Sequence, residues 1–197
     1  MAILDLATCA HPQVRVFTLD TGRLPQETYE MMDIVKERYG IAVEVVRPDA
    51  AEVARMVAER GLDLFYESVE NRRLCCEIRK VRPLGRKLAG LQAWATGLRR
   101  EQSADRSATP KVQLVDGRVK ISPLADWTEA QVERYIEERG VPVHPLYERG
   151  YASIGCAPCT RALEPGENGR AGRWWWEQDE KKECGIHVTA EGLVRRA

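Results

Sequence analysis

The sequence has no net charge and no long apolar run. Its 30 lysines and arginines cancel its 30 aspartates and glutamates, which removes the global field that gathers nucleic acid or an anionic membrane surface. Any anion site must therefore be local. No apolar stretch approaches the roughly 20 residues of a spanning helix, and the N-terminus lacks the charged region, apolar stretch and cleavage site of a secretory leader. These absences predict a cytoplasmic protein that binds neither nucleic acid nor membrane. Internal repeats and low-complexity tracts are missing too. At 197 residues the chain suits one α/β domain with a sizeable core plus a functional tail, and two full domains would be cramped.

What is present begins with alternating strand and helix signals. "VRVFTLD" (residues 14–20) is an apolar, β-branched run ending at Thr21-Gly22, which predicts a buried strand. A helix follows over 27–39, with Pro25 near its start and Gly40 at its stop. "IAVEVV" (41–46) predicts the next strand, and Asp49 with Glu52 a capping pair for a helix that ends at Gly61. This order implies right-handed crossovers and an open, mostly parallel sheet flanked by helices. "LCCEIRKV" reads as a short helix stopped before Pro83, and "AWATGL" (93–98) as a further buried strand. "VQLVDGRVKI" is a hairpin about Asp116-Gly117. Thr128 and Gln131 cap a helix that runs to Arg139 and stops at Gly140.

Six cysteines are present, and in a reduced compartment metal or catalytic use outweighs disulfides. Cys75-Cys76 and Cys156-x-x-Cys159 together supply four thiolates, enough for a tetrahedral zinc site or a [4Fe–4S] cluster. Adjacent cysteines on a helix point about 100° apart, which suits a cluster with several iron corners better than one small ion. The plain alternatives are two buried small hydrophobes and a redox pair. Arg79 and Lys80 stand four residues after the two cysteines, over the same face of a helix, where cations would balance a thiolate cluster or simply solvate a helix end. Cys9 reads as a free buried thiol with no role.

Anion-binding candidates are scattered. "LDTGR" places Thr18, Thr21, Gly22 and Arg23 at the carboxyl end of the first strand, where open parallel sheets bind ligands, although a plain strand-to-helix turn explains the same letters. Arg99, Arg100 and Arg106 follow another strand, and Arg170 and Arg173 flank the glycine of "RAGRWWW". Convergence of several arginine forks would make a strongly anionic-ligand pocket; taken singly each suits the surface. Trp174, Trp175 and Trp176 suit packing. Cys184 has no second cysteine nearby, but Lys181, Lys182 and His187 favour its nucleophilic thiolate while Glu183 opposes it.

"RVFTLDTGRL", "CCEIRKV", "WATGLRREQS", "YASIGCAPCTR", "GRAGRWWWE" and "KKECGIH", spread over residues 14–188, closely resemble assimilatory adenosine 5′-phosphosulfate reductases, relatives of the reductases that take the 3′-phosphorylated substrate. The resemblance implies a fold like the adenine-nucleotide α-hydrolases, in a nucleotide-binding domain over 1–173 and a catalytic tail over 174–197. It implies a [4Fe–4S] cluster on Cys75, Cys76, Cys156 and Cys159, a cysteine set that points to the substrate without a 3′-phosphate. Cys184 is then the nucleophile that takes the sulfonate and releases AMP, and thioredoxin or a similar dithiol frees sulfite. Thr21, Gly22 and Arg23 match the nucleotide turn, and Lys80, Arg106, Arg170, Arg173 and His187 the phosphosulfate surroundings. The resemblance implies an electrostatic and structural role for the cluster. Family members also carry a strand and a serine-rich phosphate loop ahead of the helix that here begins near Met1. The expectation is therefore either a start further upstream or a sheet that lacks one strand, and the rival readings are the 3′-phosphoadenylyl-sulfate substrate and a non-catalytic metal-binding domain. A homo-oligomer is compatible with the sequence and not required by it.

Overall fold

The computed structural model describes residues 1–103, 106–167 and 169–177, together with the backbone of 188–189 and 192–193. A first helix, α1 (Ala2–Ala10), leads into β1 (Phe17–Leu19), α2 (Gln26–Tyr39), β2 (Glu44–Val46) and α3 (Ala50–Arg60). β1 and β2 pair in parallel, with Phe17 opposite Glu44 and Leu19 opposite Val46. Local chemistry sets the boundaries: the Asp49 side chain accepts the Glu52 amide at the start of α3, and Gly40 ends α2 in the left-handed region at φ 67°, where glycine carries no Cβ penalty.

The next stretch departs from the expected short helix. α4 (Val69–Cys76) runs without a break through a π-helical turn (Glu77–Val81) into α5 (Arg82–Ala89), so Pro83 stops nothing. In a regular helix its ring would clash with the carbonyl four residues back, at Arg79. The wider π turn inserts one residue just ahead of it and lets Pro83 sit in the first turn of α5. The same widening turns three consecutive side chains, Ile78, Arg79 and Lys80, into the interior.

β3 (Ala93–Ala95) lies parallel to β5 (Arg118–Ile121), and β4 (Val112–Val115) joins β5 antiparallel, in the order β3-β5-β4. The hairpin turn places Asp116 at φ 48° and Gly117 at φ 74°, the two positive angles of the turn that suits strand twist. β3 is shorter than predicted and is not buried: Ala93 and Ala95 are exposed, because among the described residues it is an edge strand. Across it, Val112, Leu114 and Val119 also face outward. α6 (Glu129–Arg139) has the reciprocal Thr128–Gln131 capping box, and Gly140 ends it. β6 (Val188–Thr189) and β7 (Gly192–Leu193) form a two-residue antiparallel pair.

The core gathers Met56, Leu64, Phe65, Cys76, Ile78, Cys156, Cys159 and Trp174, with Cys75 and Trp176 packed against it. The tail expected from residue 174 onward thus begins inside the core, since Trp174 and Glu177 are buried. Cys9 is exposed rather than buried; it stands in the last turn of α1 and accepts from Arg139 Nη2 at 3.2 Å.

Asp5 docks α1 onto the rest of the domain. It is buried and accepts from Tyr39 Oη at 3.0 Å and Tyr135 Oη at 2.6 Å, so one carboxylate joins α1, α2 and α6. Burial pushes its pKa up, but the two hydroxyls and the Arg139 guanidinium outweigh this and hold it below the usual value. A carboxylate depressed on folding stabilises above its unfolded pKa, and the contribution fades as pH falls through its folded pKa. Asp5→Ala is expected to cost about 2–3 kcal/mol near neutral pH and progressively less in acid. Urea unfolding of the two proteins across acidic pH checks this; a constant difference would contradict it.

Candidate functional site

The two cysteine pairs arrive from opposite directions. Ser68 caps α4 by accepting the Asn71 amide, and two turns later Cys75 and Cys76 close the helix beside the π turn. Cys156 and Cys159 bracket a single 3-10 turn, Ala157–Cys159, held by Thr160 Oγ1 donating to the Cys156 carbonyl at 2.9 Å. All four belong to one apolar cluster. Among the described residues, no set of three or more His, Cys, Asp and Glu side chains is arranged as a ready site for a metal ion.

Their protonation follows from burial. Desolvation raises the Cys75 pKa and Cys156 adds to it, while Arg79 and Lys80 pull the other way. Cys159 is pushed up to about 12, chiefly by burial and then by Cys156, against the fields of Lys80 and Arg173. Thiols in this state need a strong cationic partner to give up their protons. The basic side chains supply part of it: Arg79, Lys80 and Arg173 are all buried around the thiols.

The turn after β1 is wired into the same place. Thr21 is buried, and its Oγ1 lies 3.1 Å from Cys156 Sγ. Arg79 Nη1 donates to the Thr21 carbonyl at 2.7 Å, and the Ala157 amide donates to the Arg23 carbonyl at 2.7 Å. Gly22 turns the chain at φ 71°. Asp20 steadies the turn by accepting from the Gly22 amide, Tyr29 Oη and Arg47 Nε. A cavity of about 580 Å³ opens against this turn, lined by Asp20, Thr21, Gly22, Arg47, Arg79 and the small apolar residues of α3.

The structure therefore brings together Thr21, Gly22, Lys80, Arg173 and the four cysteines. Arg173 donates from Nε to the Cys159 carbonyl at 3.3 Å and lies 4.5 Å over the Trp174 ring, and Arg170 reaches the same ring at 5.9 Å. Arg23 contributes its backbone, but its guanidinium turns to Asp63 and the Leu62 carbonyl. Arg106 donates to Gln102 Oε1 at 2.6 Å, and its field lowers the pKa of Lys120, already depressed by burial. Arg99 and Arg100 pair with Glu129 and Asp126. Cys184 and His187 lie outside the described residues. Sequence reading missed the Arg72–Glu177 pair: Arg72 Nε and Nη2 donate to the two carboxylate oxygens at 2.8 and 3.0 Å. Its only sequence signal was position, three residues before Cys75 and directly after the tryptophans.

A family model described as the phosphoadenosine phosphosulfate reductase domain matches residues 1–162. An adenosine 5′-phosphosulfate reductase of Burkholderia cepacia is 55% identical over 178 residues, 89% of this chain and 71% of the relative. One of Allochromatium vinosum is 52% identical over 189 residues, 95% and 74% of the two chains. Among solved structures, a phosphate complex of phosphoadenylyl-sulfate reductase from Candida auris superposes with a TM-score of 0.68 at 30% identity, over 81% of this chain and 77% of that one. Candida glabrata FMN adenylyltransferase shares the fold at a TM-score of 0.53 and 13% identity, over 94% and 61%.

Two glycines test the packing of the site. A Cβ at Gly155 would meet the Arg173 guanidinium at 2.4 Å, and one at Gly172 would meet the Arg161 carbonyl at 2.4 Å. A side-chain end can move and a backbone cannot. Gly172→Ala is therefore expected to destabilise by about 3 kcal/mol and Gly155→Ala by about 1 kcal/mol. Chemical denaturation of both variants measures the difference, and equal losses would refute the packing described.

Proposed function

The chain belongs to the phosphoadenosine phosphosulfate reductase domain family, and within it we propose that this protein reduces adenosine 5′-phosphosulfate to sulfite and AMP in sulfate assimilation. The observation that carries the reading is the meeting of both cysteine pairs, Lys80, Arg173 and the Thr21-Gly22 turn in one region. Relatives at 50–55% identity bear the name adenosine 5′-phosphosulfate reductase, against 30% for the phosphoadenylyl-sulfate enzyme. That ranking favours the substrate without a 3′-phosphate.

Cys184 is the nucleophile in this reading. Its thiolate attacks the sulfonate sulfur; a sulfur–sulfur bond forms, the bond to the bridging oxygen breaks, and AMP leaves with that electron pair. Lys80, Arg170, Arg173, Arg106 and His187 neutralise the charge that grows on the leaving phosphate and on the sulfonate oxygens. Thr21, Gly22 and Arg23 hold the nucleotide side. A dithiol such as thioredoxin then attacks Cys184 Sγ, sulfite departs with the electrons of the broken bond, and the second thiol closes the reductant's disulfide and restores Cys184. The cytoplasm supplies such a dithiol, and among the described residues no helix is long and apolar enough to cross a membrane.

Cys75, Cys76, Cys156 and Cys159 would hold a [4Fe–4S] cluster. The donor set fits: four thiols share one apolar cluster, cations stand around them, and the Thr21 hydroxyl is within hydrogen-bonding distance of the Cys156 sulfur. When bound, the cluster supplies a fixed negative centre that orders the surrounding cations. Lys80 and Arg173, which act on Cys159 from opposite segments, are then shared between the cysteine site and the substrate anion.

Mixing anaerobically purified protein with adenosine 5′-phosphosulfate and no reductant is expected to add one sulfonate group to the intact mass, with release of AMP. Cys184→Ser abolishes the adduct. An unchanged wild-type mass, or an adduct that survives in the variant, would overturn the reading.

A further inference from the structure

Residues 172–177 are fastened to both cysteine segments at once. The Trp174 amide and Arg173 Nε donate to the Cys159 carbonyl, and Trp176 Nε1 donates to the Phe65 carbonyl at 3.2 Å. The last fastening is the Arg72–Glu177 pair, whose side chains are only 1% and 3% exposed. Arg72 also lies 4.5 Å over the Trp174 ring, a residue that is fully buried and held at φ 45°.

A buried ion pair is a poor source of stability, because apolar side chains of the same size avoid the desolvation cost. It is a strong source of register. The two parallel bonds accept one placement of the carboxylate, and a slip of the chain by one residue would leave two charges buried and uncompensated. Glu177 is seven residues before Cys184, so at most about 25 Å of extended chain separates the two.

We propose that Glu177 is a positioning residue: its bidentate pair with Arg72 sets the register of the strap on the cysteine site, and so the point from which the chain reaches Cys184. The inference rests on Cys184 being the nucleophile. It assigns to the pair the placement of the nucleophile and leaves nucleotide affinity to other residues.

The test compares wild type, Glu177→Gln and the apolar double variant R72M/E177M in adduct formation at saturating adenosine 5′-phosphosulfate. Both variants are expected to slow the adduct by about tenfold or more, since small misplacement of a reacting group is costly. The dissociation constant for AMP should stay within about twofold, and R72M/E177M should match or exceed wild-type thermal stability. The reversed pair R72E/E177R is expected to recover most of the rate. A double variant that reacts at the wild-type rate, or a rate loss matched by lost affinity or stability, overturns the proposal. If wild type itself forms no adduct, the functional reading fails and hydrogen exchange decides the register: the Trp174 and Glu177 amides should exchange at least about tenfold faster in R72M/E177M, and unchanged exchange refutes it.

Discussion

Four thiols from two distant stretches of chain meet at one point, three of them buried and Cys75 half-buried, and the rest of the molecule is arranged around that meeting. Burial makes thiols resist ionisation, and it is the chief cause of the upward shifts at Cys75 and Cys159. A site that is to use them as ligands therefore needs positive charge brought inside with them. Buried cations carry their own desolvation cost, so each must be anchored by hydrogen bonds as well as by charge. Arg79 spends one donor on the Thr21 carbonyl and Arg173 one on the Cys159 carbonyl. Those two anchors tie the turn after β1, the helix and the 3-10 turn into one unit.

The π turn is the device that makes this possible on a single helix. Successive residues of a regular helix point about 100° apart, so a run of three inward side chains after a cysteine pair does not fit one face. One inserted residue changes the phase, and Ile78 fills the core while Arg79 and Lys80 reach the thiols. The same insertion relieves Pro83. The strap over residues 172–177 closes the other side with the Trp174 ring against Arg72, Arg170 and Arg173, contacts that favour guanidinium groups.

Signals made of neighbouring residues were legible in the sequence. The Thr128–Gln131 box, the Asp49 cap, the Asp116-Gly117 turn and the glycine stops at Gly40 and Gly140 each satisfy a backbone group within a few residues, so their chemistry is written locally. Pro83 was misread because a π turn leaves no mark in apolar periodicity, and residues 93–98 because an apolar run does not reveal whether a sheet continues beyond it. Cys9 was read as buried from its residue type, whereas its place at the end of α1 leaves it exposed. The cysteine quartet was visible as a set, and so were Lys80 and Arg173 as candidates. That Arg23 would turn to Asp63, and that Arg72 would find Glu177, depends on contacts between distant segments that no local pattern encodes.

What the four cysteines hold decides the chemistry of the site. Iron, acid-labile sulfide and zinc measured together on anaerobically purified wild type and Cys159→Ser test it most directly. The wild type should carry about four iron and four sulfide per chain, lost together in the variant. About one zinc per chain with no sulfide, or iron and sulfide that persist in Cys159→Ser, would contradict it.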